Sequence, residues 1–130
     1  MEGQKMEDSR NDIRSYLYKR GIDAALDLEF KKGMRRGQVK PGATVIFWKQ
    51  GLRWYVIGID QIKRICRREQ EVNSKVGCGC ITYAKQHMIL QLKNGENLSI
   101  LISEEDSRVA DALYRDLQEM HPELQYGIVA

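Results

Sequence analysis

The feature that most restricts how this chain can fold is a succession of strand-like segments that ends in one amphipathic helix. Arg53-Trp-Tyr-Val-Ile-Gly-Ile59, His87-Met-Ile-Leu-Gln-Leu92 and Asn97-Leu-Ser-Ile-Leu-Ile102 carry the β-branched and aromatic residues that suit a pleated, half-buried surface. Ser103 then reads as the N-cap of a helix reaching Met120, with Glu104, Glu105 and Asp106 at the positive end of its dipole. Val109, Leu113, Leu117 and Met120 recur on one face with Ala110 and Tyr114 beside them, and His121-Pro122 stops the helix. Strands closed by a single helix imply a small α+β domain.

The last hairpin can be read to the residue. A two-residue turn at Asn94-Gly95 would set Leu92 opposite Asn97 and mix polar with apolar on each face. A three-residue loop, Lys93-Asn94-Gly95, sets Leu90 opposite Leu98 and Met88 opposite Ile100, which keeps one face apolar. The spacing therefore predicts the longer loop, with Gly95 left-handed in a bulge. Upstream, Thr44–Lys49 and Arg53–Ile59 flank Gln50-Gly51-Leu52 as a second hairpin. Residues 73–80, with two glycines, read as a loop.

The N-terminal part reads as helical. Ser9 and Asp12 suit a capped start, Ile13, Tyr16 and Leu17 form a short stripe, and Gly21 ends a helix over about residues 10–20. A second helix would start at Asp23, carry Leu26 and Phe30, place Lys31 and Lys32 at its negative end and stop at Gly33. Leu26, Leu28 and Phe30 also alternate as in a strand, but the capping residues favour the helix. Pro41-Gly42 marks a turn before the sheet.

A chain of 130 residues with 42% hydrophobic and 30% charged residues suits one soluble domain with its own core. No apolar run approaches the roughly 20 residues of a membrane helix, and residues 1–10 lack the apolar core of a secretory signal. Three cysteines, an odd number, argue for reduced thiols, so the expected location is cytoplasmic.

From Arg53-Trp-Tyr-Val-Ile-Gly-Ile-Asp-Gln-Ile-Lys-Arg-Ile65 and from Leu90 to Met120, the chain resembles the bacterial PH-like domains, many of them without known function. The first stretch looks like their strand, Asp-x-Ile, strand passage, and the second like their final hairpin and helix. The resemblance is one of pattern and covers roughly residues 43–120. It implies a bent antiparallel sheet, an open barrel closed by the C-terminal amphipathic helix. Residues 1–42 would be an N-terminal helical extension and 43–130 the PH-like domain, together one structural unit. So widely shared a scaffold says little about activity.

The sharpest chemical feature is Lys63, Arg64, Arg67 and Arg68. As a helix over 61–72, the four would share one face and suit a DNA major groove. As a strand after one turn at Asp60-Gln61-Ile62, at the open end of a barrel like those the chain resembles, they would, as the resemblance implies, offer a contact surface for an acidic peptide or a phosphorylated headgroup, with the adjoining residues 73–80. Taken alone the helical pattern is the cleaner, but the surrounding β pattern and the resemblance favour the strand, which makes nucleic acid the less expected partner. The plain alternative is a charged edge that resists aggregation. A second basic group (Lys31, Lys32, Arg35, Arg36 and Lys40) contains no aromatic residue on which a base could stack, and reads as a solvated connector.

Cys66, Cys78, Cys80 and His87 are the weak candidates for zinc or redox chemistry. C-x-C lacks the spacing of common zinc sites and of thioredoxin-type centres. Trp48 and Trp54 read as core or hairpin partners. No nucleophile has an evident base, and phosphate-binding glycine loops are missing from the sequence. The expected protein is therefore a non-enzymatic interaction module without a cofactor, whose partner is an unknown protein or an anionic headgroup. Pairing of two copies through a sheet edge is a further option.

Overall fold

A computed structural model of the chain describes residues 12–77, 79–104 and 107–128. A 3-10 turn at Asp12–Tyr16 leads to α1 (Ala24–Lys32), then β1 (Val39–Pro41), β2 (Val45–Gln50) and β3 (Arg53–Gly58). A single turn at Ile59–Gln61 opens β4 (Ile62–Val76), which is followed by β5 (Gly79–Leu92), β6 (Asn97–Ser103), α2 (Arg108–Met120) and β7 (Gln125–Ile128). The class is α+β. The strands form two sheets, β1-β2-β3 and β6-β5-β4-β7, and do not close into a barrel. Every neighbouring pair is antiparallel except β4 and β7.

The hairpins follow from side-chain alternation. Leu90 stands opposite Leu98 and Met88 opposite Ile100, and Gly95 takes φ +94°, as the three-residue loop requires. Gln50 pairs with Arg53 around Gly51 at φ +66°, which makes the β2–β3 connection a two-residue turn. The inward residues of both sheets, among them Ile46, Trp48, Ile57, Ile65, Met88, Leu90, Ile100 and Ile102, join Leu113 and Leu117 of α2 in one core.

Four expectations about the elements are corrected. The first helix shrinks to one 3-10 turn because Leu17 bridges Tyr55 and the Tyr18 amide donates to the Trp54 carbonyl at 2.9 Å, so pairing with β3 outcompetes helical bonds. Ser9 lies outside the described residues. The sheet begins at Val39, ahead of the Pro41-Gly42 turn, because β1 completes the edge of β2. Residues 73–80 are mostly strand: β4 and β5 pair as far as Val76 opposite Gly79, and Gly77 at φ +61° turns the chain. The last helix starts at Arg108, since Ser103 remains in β6 opposite Gln86, and Ser107 takes the cap position. Glu104 thus lies outside that helix, whereas Glu105 and Asp106 fall outside the described residues.

Two further elements depart in detail. Helix α2 buries Ala110, Leu113, Tyr114 and Leu117, which rotates Met120 out to 43% exposure. Strand β7, which the sequence did not announce, follows α2 and lies beside β4, where the Tyr126 hydroxyl donates to the Leu117 and His121 carbonyls. By contrast α1 forms as expected. The Asp23 carboxylate accepts from the Ala25 and Leu26 amides, and the Gly33 amide closes the last turn on Glu29.

Candidate functional site

Residues 62–76 form one strand, so a basic recognition helix over 61–72 does not exist. On that strand the four basic residues do not converge. Lys63 is exposed at the irregularity between Ile62 and Arg64. The Arg64 guanidinium lies against Gly127 of β7, so close that a Cβ there would meet Nη2 at 2.2 Å. Arg67 reaches the helix side instead, with Nη1 2.6 Å from Asp111 Oδ1 and its guanidinium 5.3 Å from the Tyr114 ring centre. Arg68 is exposed and stands opposite His87.

The cysteine candidates gather no site among the described residues. Cys66 is a free, buried thiol in the middle of β4. His87 lies on the neighbouring strand, and its pKa is held below the ordinary 6.5 by burial first and then by Arg68 and Lys85. Cys78, and the side chain of Cys80, fall outside what is described. Among the described residues no group of three or more His, Cys, Asp or Glu could hold a metal.

A different group of charges does converge. Strand β2 turns Ile46 and Trp48 to the main core and Phe47 to the opposite face, where α1 and the segment before it cover the sheet. There Phe30 stacks with Tyr18 at 5.0 Å, while Phe47 and Trp54 each meet Phe30 edge-on at 5.0 Å. This aromatic cluster stands apart from the main core. Cations ring it: Arg20 lies 5.6 Å and Lys40 3.9 Å from the Phe30 centre, and Arg35 5.4 Å from the Trp54 centre. Arg53 joins Arg20 at a cavity of about 450 Å3 lined by Leu17, Tyr18, Phe30, Leu52 and Trp54.

The electrostatics of this face are unbalanced. Arg36 is neutralised by Asp116 at 2.8 Å, and Arg67 by Asp111. Among the described residues, Arg20, Arg35, Lys40 and Arg53 have no carboxylate in salt-bridge contact. The hydrogen bonds of Arg35 go to the neutral oxygens of Gly37 and Gln38, each at 2.8 Å. The pKa of Lys40 is lowered from the ordinary 10.5 by burial and then by the like charges of Arg35 and Arg20. Asp27 of α1 is engaged elsewhere, accepting from the Tyr18 hydroxyl at 2.5 Å and the Gly21 amide at 3.0 Å.

The connector around Arg35 and Lys40 therefore does have aromatic partners. Its own sequence lacks them, and Phe30 and Trp54 arrive from α1 and β3. No local spacing announces this, because the contact depends on β1 pairing with β2 and β2 with β3.

No family model matches the chain, and no curated protein or solved structure is significantly similar to it. Its function must be read from the molecule itself. No helix among the described residues is long and apolar enough to cross a membrane.

Proposed function

We propose that this chain is a non-enzymatic interaction module that binds an anionic partner on the face formed by Arg20, Arg35, Lys40 and Arg53. The observation that carries the reading is the gathering of four cations without a salt-bridged carboxylate around one aromatic cluster, while Arg36 and Arg67 are each paired with an aspartate. Holding like charges together raises the energy of the free protein, and an arriving anion relieves it. On this reading the two sheets and α2 are a PH-like scaffold working in the cytoplasm, and recognition is its task.

The test is fluorescence anisotropy with a labelled Glu- and Asp-rich peptide, run beside phosphatidylserine vesicles and single-stranded DNA. Peptide binding that weakens between about 50 mM and about 200 mM salt is expected. The double variant Arg20→Glu, Arg53→Glu should weaken it at least about tenfold, while Lys63→Glu leaves it unchanged. Affinity unaffected by the double variant, or no binding to any anionic probe, contradicts the proposal.

A further inference from the structure

We propose that the partner is a short acidic peptide bearing one large apolar side chain, which seats in the cavity between α1 and the β2–β3 turn. This inference rests on the reading just given and names its ligand. The cavity, at about 450 Å3, falls in the range of small-ligand pockets. Its walls are Leu17, Tyr18, Phe30, Leu52 and Trp54, and its two charged lining residues, Arg20 and Arg53, are both cations. Leu52 is 94% exposed at the tip of the turn and forms one wall of the cavity, so a ligand seated there can cover it.

Each competing anion would leave part of this surface unused. A soluble phosphorylated headgroup needs the cations alone and gives Leu17 and Leu52 nothing to bury, and a bilayer surface could take up Leu52 at the turn tip but would not fill the cavity behind it. A nucleic-acid strand needs open aromatic faces for its bases. The Phe30 ring already carries Lys40 and Arg20, has Tyr18 stacked on it, and forms T-shaped pairs with Phe47 and Trp54, while Arg35 lies over Trp54. An apolar side chain flanked by carboxylates uses all of it: the side chain fills the cavity against Leu52, and the acids meet Arg20 and Arg53 at its edge.

The experiment compares two labelled peptides of equal charge, Glu- and Asp-rich, with either Phe or Ser at the centre. The Phe peptide should bind about tenfold or more tightly than the Ser peptide. Leu52→Ser, a change at an exposed turn that leaves folding intact, should remove most of that advantage and leave the Ser peptide unchanged. Equal affinities for the two peptides overturn the inference while the anionic-partner reading stands. Binding of none of the four probes (either peptide, the vesicles or single-stranded DNA) overturns both. Vesicles or single-stranded DNA binding more tightly than the Phe peptide overturns the inference in favour of that partner.

Discussion

Lys40 is joined to Phe30 twice: its Nζ lies 3.9 Å from the ring centre and donates a 2.8 Å hydrogen bond to the Phe30 carbonyl oxygen. That carbonyl lies in the last turn of α1, where helices leave acceptors without internal partners. One ammonium therefore caps α1, covers an aromatic ring and anchors the helix to β1. Lys40→Met keeps the stem and deletes the donor, so it should lower stability by about 1 kcal/mol, measured by urea unfolding. It should also reduce the salt dependence of peptide binding, because one of the four cations is gone.

Gly37 is required in a way that Gly51 is not. Both have positive φ, +60° and +66°. A Cβ at Gly37 would lie 2.2 Å from the Ile102 carbonyl oxygen, beside the 2.8 Å bond from the Gln38 amide that ties the first sheet to β6. A Cβ at Gly51 would meet nothing within 4 Å. Gly37→Ala should cost about 2 kcal/mol or more and Gly51→Ala about 1 kcal/mol, compared by thermal unfolding.

His87 sets an acid limit on stability. Burial, reinforced by Arg68 and Lys85, lowers its pKa below 6.5 in the folded protein, so the unfolded chain takes up the proton first as pH falls. Its contribution is present above pH 6.5 and is lost as pH drops from there through the lowered folded value. Denaturation midpoints measured across that window should fall for the natural sequence and fall less steeply for His87→Gln.

The outer part of the β4–β5 hairpin should contribute little to the stability of the fold. Strand β6 pairs with β5 only over Gln86–Gln91 and its Ser103 end, and β7 with β4 only over Arg64–Arg67. Beyond them no third strand is paired with β4 or β5 among the described residues, and a two-stranded ribbon is of marginal stability in water. Joining Gln70 directly to Lys85 through an Asn-Gly turn preserves the 2.8 Å bond from Gln86 to Glu69. Such a shortened protein should unfold within about 1 kcal/mol of the full chain in urea.

What the sequence revealed depended on how local the deciding physics was. The match of Leu90 to Leu98 was legible because one register alone keeps that face apolar. The cap at Asp23 was legible because a carboxylate three residues before an apolar position competes with nothing nearby. The start of α2 was not: Ser103 and Ser107 are equally good caps, and pairing of β6 with Gln86 decides between them. Residues 73–80 misled through their glycines, since β-prone Val72 and Tyr83 face each other and carry the ladder past them. The cation–aromatic face was least visible of all, because Lys40 and Phe30 sit in different elements and Trp54 joins them through a third.

The two indole N–H signals in a 1H–15N spectrum offer the most direct test of the binding face. Trp54 lies under Arg35 beside the cavity, whereas Trp48 is buried in the main core at 1% exposure. Titration with the acidic Phe peptide should shift the Trp54 indole saturably, along with the amides of Arg20, Leu52 and Arg53, and leave Trp48 in place. Saturable shifts confined to Lys63–Arg68 and the outer β4–β5 hairpin would contradict the account and return the contact surface to the basic strand.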